Sequence, residues 1–254
     1  MKKATEAGPR TEYLATVVLI GSFVFLVAFT GCSEPLAGTS LIRKAPDVDD
    51  SQPVSRGATL SSSPSRQVDW AIDRYTPIVR RYSDQYGIDW LLVLAVMEQE
   101  SKFDHDAVSH RGAYGLMQLM PITQIELTEK LGISETVTPR NNIRAGVYHL
   151  RGLYSSFAKA KREDRTRIAL AAYNAGIGRI QDAQRIAAYL GNDPNKWDSI
   201  REALPLLTKN NYTLHWKIWE DGRPSSGYFR DWHQTIEYVD QVLDNFQEFN
   251  VALR

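Results

Sequence analysis

The sequence predicts a mostly α-helical domain standing behind an N-terminal leader and a linker. Three observations carry that expectation. From Val68 onward apolar residues return at steps of three or four, the spacing that lines one face of a helix. Leu91 to Met97 is apolar on every side, as in a helix surrounded by core. No convincing pair of alternating apolar and polar runs offers two strands. The chain has 254 residues, enough for one domain and an appendage. Its Lys and Arg number 30 and its Asp and Glu 30, so the net charge is zero and nothing electrostatic favours nucleic acid. No internal repeat is visible.

Met1-Lys2-Lys3 opens a polar leader that also holds Arg10. Tyr13 to Phe29 is almost wholly apolar, and Thr30-Gly31-Cys32-Ser33 ends the run. Charged, apolar and small-residue regions in that order read as a secretory signal. Gly31-Cys32 after an apolar run resembles a bacterial lipobox, with Phe29 where an aliphatic residue is usual. The resemblance implies removal of a signal peptide, residues 1–31. It also implies lipidation of Cys32 on its sulfur and its new amino group, a membrane anchor that two or three acyl chains make firm. Ser33 rather than Asp after the cysteine implies, in a Gram-negative cell, sorting to the outer membrane. The alternative is an uncleaved membrane helix, since the run is nearly long enough to span. Either places the domain on the periplasmic side of the envelope. Cys32 is the only cysteine, so no intrachain disulfide forms. Residues 32–66 are rich in Pro, Ser, Gly and Asp and lack apolar periodicity. They cannot bury enough surface to offset chain entropy and read as a disordered linker, leaving 67–254 as the domain.

The elements run in order along the domain. Val68, Ile72, Tyr75, Val79, Tyr82 and Tyr86 share a helix face, ended at Gly87. Asp89 can cap the next helix, Trp90 to Glu100, by accepting from free backbone N–H groups. Ser109 to Gly115 reads as loop. Pro121 suits a first turn and opens a helix over Ile122 to Leu131. Asn141 or Asn142 starts another, with Ile143, Val147, Leu150, Leu153 and Phe157 on its face. Arg165 to Ala175 is a short apolar helix closed at Gly176. Ile180 to Leu190 and Trp197 to Leu207 are further helices. Residues 210–227, rich in Trp and Tyr, read as irregular, and Trp232 to Phe249 as a final helix.

The apolar helix ends in two glutamates, Glu98 and Glu100. Burying a carboxylate costs several kcal/mol unless it is paired or protonated, so a carboxyl here suggests a raised pKa and an acid catalyst. Glutamates at helix ends are more often solvated. The residues after Glu100 favour the catalytic reading. Glu100-Ser101-x-Phe103, then Ser109-x-x-Gly112-Ala113-x-Gly115-Leu116-Met117-Gln118, then Ala172-Tyr173-Asn174-Ala175-Gly176, resemble the lysozyme-like domain of bacterial lytic transglycosylases. Asn142-Ile143-Arg144-Ala145-Gly146, Leu204-Pro205-Leu206-Leu207, Gly227-Tyr228-Phe229-Arg230 and Tyr238-Val239 are similar to the catalytic domain of the membrane-bound F-type enzymes. The likeness covers about residues 68–250. The linker is too short for the solute-binding-like domain that F-type enzymes usually carry ahead of it.

The resemblance implies a fold of the goose-type lysozyme kind and peptidoglycan glycan strands as substrate. It implies cleavage of the β-1,4 bond from N-acetylmuramic acid to N-acetylglucosamine. Glu100 would be acid and then base, with the substrate's acetamido group in place of a second carboxylate, and the product a 1,6-anhydro sugar. Glu98 is the rival, but two residues lie roughly 200° apart on a helix, so both cannot face one cleft. Asp104 and Asp106 are the near candidates for a second carboxylate, with turn formation as their ordinary role. By position in the motifs, Ser109 and Gln118 would bond the sugar, and Tyr173 would sit beside Glu100. Asn174 would join the site or hold backbone, Tyr238 would lie near the cleft, and Met117 would line it as an adaptable wall. Trp216, Trp219, Tyr228 and Trp232 can stack on sugars or pack. His105, His110, His149, His215 and His233 form no metal-binding pattern, no phosphate loop follows a strand, and no cofactor is implied. Two other readings keep part of this: a lysozyme-type hydrolase with the same substrate, and a non-catalytic peptidoglycan-binding lipoprotein.

Overall fold

The computed structural model of the chain describes residues 66–253. The leader, Cys32 and the linker lie outside these residues, except that Arg66 already begins the first helix. The helices are α1 (Arg66–Tyr86), α2 (Trp90–Ser101), α3 (Pro121–Leu131), α4 (Pro139–Ser156), α5 (Arg162–Ala175), α6 (Ile177–Tyr189), α7 (Trp197–Ala203), α8 (Tyr212–Ile218) and α9 (Trp232–Leu253). Among the described residues the only strand-like features are isolated bridges, Val108 to Tyr114 and Tyr114 to Leu119. Among them, too, no helix is long and apolar enough to cross a membrane.

Apolarity places α2 at the centre. Leu91, Val93, Leu94, Ala95, Val96 and Met97 have no exposed surface. Side chains of this kind each contribute about 1.5–3 kcal/mol when fully buried. The Asp89 carboxylate accepts from the Leu91 N–H at 2.9 Å and fixes the start. Lys102 and Phe103, at φ 50° and 62°, turn the chain out of the helix, and the Lys102 N–H closes its end on the Glu98 carbonyl. Against α2 lie α1 and, most extensively, α9. The other interior helix is α5, whose Ile168 to Ala172 are buried and which packs on α4, α6 and α9.

Several boundaries differ from the sequence expectation, most for a local reason. Helix α4 begins at Pro139, not at Asn141 or Asn142. Thr138 caps it by accepting from the Asn141 N–H, and a first-turn proline has no N–H to leave unpaired. Helix α5 starts at Arg162, with Glu163 and Asp164 at the positive end of its dipole, and α6 starts at Ile177. The run from Trp197 to Leu207 is not one helix: Pro205 lacks the N–H needed to continue, and Leu204–Leu207 tighten into a 3-10 turn. The stretch 210–227 is not wholly irregular, because it contains α8. The one buried residue of α8 is His215, whose Nε2–H donates to the Leu206 carbonyl at 2.7 Å. A helix anchored through a polar side chain leaves no apolar periodicity to read. Helix α9 also runs on past Phe249, to Leu253.

Candidate active site

Glu100 stands in the last turn of α2, where the chain leaves the core. Its side chain is half-buried. Tyr238, on α9, donates its hydroxyl hydrogen to Glu100 Oε1 at 2.6 Å. Burial pushes the Glu100 carboxyl up to about 7, and the Tyr238 bond partly offsets this by stabilising the carboxylate. No second carboxylate is among these influences. Burial also holds both Tyr238 and Tyr173 well above the ordinary phenol value, and the Glu100 charge adds to it. Both therefore remain neutral donors.

The loop after α2 is fixed by its own main chain and by α4. Ser101 shares its hydroxyl proton between the carbonyls of Met97 and Leu116, at 3.1 and 3.0 Å, tying helix to loop. Ser109 closes a tight turn: its Oγ accepts from the Ala113 N–H at 3.0 Å, and its own N–H donates to the Ala113 carbonyl. Gln118 adopts φ 42°, and its amide nitrogen donates to the carbonyls of Ala107 and Gly115, both at 2.9 Å. Asn142 reaches in from α4: its Oδ1 accepts from the Met117 N–H at 2.8 Å, and its Nδ2 donates to the Tyr114 and Thr136 carbonyls. A Cβ on Gly115 would lie 2.6 Å from that Nδ2, and φ there is +79°. Only glycine fits both the turn and the approach. From α5, the Tyr173 hydroxyl donates to the Met117 carbonyl at 2.7 Å.

Residues 77–194 match the family model described as Transglycosylase SLT domain. That stretch runs from within α1 to just past α6. Similar proteins include the membrane-bound lytic murein transglycosylase F of Desulfosudis oleivorans, 38% identical over 174 residues, 68% of this chain and 35% of that protein. The F enzyme of Maricaulis maris is 34% identical over 182 residues, 70% of this chain and 37% of that one. This chain thus spans about a third of the length of these curated relatives. The 70-kDa soluble lytic transglycosylase of Escherichia coli matches at 24% identity with a TM-score of 0.50, covering 73% of this chain and 26% of that one. The same enzyme in complex with bulgecin A gives a TM-score of 0.51 at 24% identity, with 74% and 26% coverage. The fold is accordingly the lysozyme-like one of these enzymes.

The matched stretch holds Glu100, Ser109, Met117, Gln118, Tyr173 and Asn174, whereas the hydroxyl on Glu100 comes from Tyr238, beyond it. Each of these residues has definite neighbours. The Met117 side chain is fully buried and packs where Gly146 has no Cβ, which would lie 2.5 Å from Met117 Cγ. Gln118 has its amide hydrogens committed to the loop, and its side-chain oxygen has no hydrogen-bond donor among the described residues. The Ser109 hydroxyl proton has no acceptor among the described residues. Tyr173 bonds the Met117 carbonyl while lying close enough to feel the Glu100 charge, and Asn174 accepts from the Thr235 hydroxyl at 2.8 Å, joining α5 to α9. Glu98 is half-buried. Its Oε2 is buried without a hydrogen bond, and burial, with Glu248 nearby, raises its pKa against the pull of Lys102.

Asp104 and Asp106 serve the turn. Asp104 accepts from the Asp106 N–H at 3.0 Å, and Asp106 takes the Tyr114 hydroxyl at 3.3 Å and lies 3.3 Å from His105 Nε2. Of the aromatic candidates, Trp219 is buried and Tyr228 packs against the buried His215 ring, while Trp216 is exposed on α8. Asn142 is the brace that sequence reasoning treated as a helix start. The signal available was its pairing with Gly115 and Gly146, two glycines whose bare Cα atoms make room around it and around Met117.

Proposed function

We propose that the chain is a peptidoglycan lytic transglycosylase that cleaves the β-1,4 bond between N-acetylmuramic acid and N-acetylglucosamine and leaves a 1,6-anhydro sugar. The observation that carries the reading is Glu100: one half-buried carboxyl at about 7, bonded to a neutral tyrosine and influenced by no second carboxylate. The SLT domain and the murein transglycosylases it resembles support the substrate class. A group that must serve as acid and then as base works best with a pKa near the working pH.

Glu100, protonated, gives its proton to the glycosidic oxygen as the bond to the anomeric carbon breaks. The substrate's acetamido oxygen bonds to that carbon in its place. The Glu100 carboxylate then takes the proton of the muramic C6 hydroxyl, whose oxygen attacks the anomeric carbon and releases the acetamido group. Glu100 ends protonated, and no water is consumed. Tyr238 stabilises the ionised carboxyl between the two steps. Tyr173 holds the Met117 carbonyl at the edge of the site, and Ser109, Gln118 and Asn174 border the sugar. Met117 contributes through its backbone. Cys32 supplies a lipid anchor that keeps the domain at the periplasmic face of the outer membrane.

Mass spectrometry of peptidoglycan digested with the detergent-solubilised full chain tests this. Anhydro-muropeptides, absent with Glu100→Gln, are expected. Products with reducing ends would mean a lysozyme-type hydrolase, and no soluble product from a folded chain would mean a binding protein.

A further inference from the structure

The mechanism leaves one titratable side chain at this wall without a task. His149 lies on α4 one turn beyond Gly146, the residue that admits Met117. Its ring packs on Tyr173, with centroids 5.4 Å apart and planes inclined at 57°. Tyr173 is the phenol that holds the Met117 carbonyl and feels the Glu100 charge. Helix α4 therefore presents to one spot a glycine that lets Met117 in and an imidazole that backs Tyr173.

The His149 side chain is half-buried, and among the described residues neither ring nitrogen has a hydrogen-bond partner in the protein. His215 differs: it is fully buried, with Nε2 on the Leu206 carbonyl and Nδ1 sealed in without a partner, whereas neither His149 nitrogen is sealed in the interior. Burial lowers the His149 pKa; Glu126 raises it and Lys130 lowers it, both from α3. Burial thus favours the uncharged ring, which offers one N–H and one lone pair. That pair suits a neutral, hydroxyl-rich ligand, since hydroxyl and acetamido groups both give and accept hydrogen bonds.

We propose that His149 is a substrate-binding residue, whose ring nitrogens hydrogen-bond a sugar lying against Tyr173, beside the bond attacked at Glu100. The inference rests on the glycan-cleaving reading above.

Initial rates of the full chain on soluble, uncrosslinked glycan strands test it. His149→Phe keeps a packed ring and removes both nitrogens. It is expected to raise KM about five- to tenfold, the loss of one or two neutral hydrogen bonds, with kcat within about twofold. His149→Gln restores a donor and an acceptor and recovers most of the loss. An unchanged KM, a fall in kcat alone, or a Gln variant no better than Phe overturns the proposal.

A second measurement needs no His149 variant and no turnover. Tetra-N-acetylchitotetraose is titrated into Glu100→Gln while the His149 ring proton signals are followed by NMR. Saturable movement of those signals is expected, and signals that stay still overturn the proposal. If the native chain releases no product while the ring responds, the transglycosylase reading fails and the binding role stands. If product forms while KM and ring signals do not move, the reverse holds.

Discussion

At Glu100 two influences oppose one another. Burial favours the protonated acid, and the Tyr238 hydroxyl favours the carboxylate. Burial wins, which sets the direction of two predictions. Glu100→Gln cannot give or take the proton, and its turnover should fall by about 10²–10⁴-fold, as measured by product release. Tyr238→Phe removes the bond that steadies the carboxylate, so the Glu100 pKa should rise further. The alkaline limb of kcat/KM, which in the native chain tracks loss of the Glu100 proton near 7, should then move to higher pH. A pH–rate profile that stays in place would show that Tyr238 does not act through Glu100. Glu100 was legible because an apolar run leads straight into it and a local motif comes directly after it. Its partnership with Tyr238 was not, since the two stand 138 positions apart and no local pattern joins them. The burial of Met117 was hidden for a related reason: it depends on a missing Cβ at Gly146, on another helix.

Among the elements, α4 holds the loop that comes after α2. Asn142 makes three bonds to that loop and its flank from a position 1% exposed, so removing its amide strands buried partners. Asn142→Ala should cost about 2–3 kcal/mol, given about 1–3 kcal/mol for each buried polar group left unpaired, and chemical denaturation measures it. Gly146→Ala pushes a methyl into Met117, and overpacking of this kind should cost about 1–3 kcal/mol on the same assay. Helices with an apolar stripe or an apolar core, α1, α2 and α9, were legible because burial imposes a period on the sequence. Starts were less so. The capping side chain and first-turn proline of α4 compete with nearby Asn residues for the same role, and α8 is anchored by a histidine rather than by a stripe.

For the molecule as a whole, Glu100 couples stability to pH. Its pKa is about 7 folded against an ordinary 4.5, so folding gains from the bound proton fully below 4.5 and loses that gain as pH rises through 7. The difference amounts to at most about 3 kcal/mol. Glu100→Gln carries no such proton. It should match the native chain in denaturant titrations at pH 4 and exceed it by about 2–3 kcal/mol at pH 8. An equal offset at both values would place the cause elsewhere. One consequence concerns timing. The acid lies on the second helix and the hydroxyl that faces it on the ninth, so the pair exists only once almost all of the described chain has folded back on itself. A chain emerging from its translocation channel would hold Glu100 in water, ionised at neutral pH and unable to donate a proton. On the proposed reading, a newly exported copy would be harmless to the wall around it until the last helix docks.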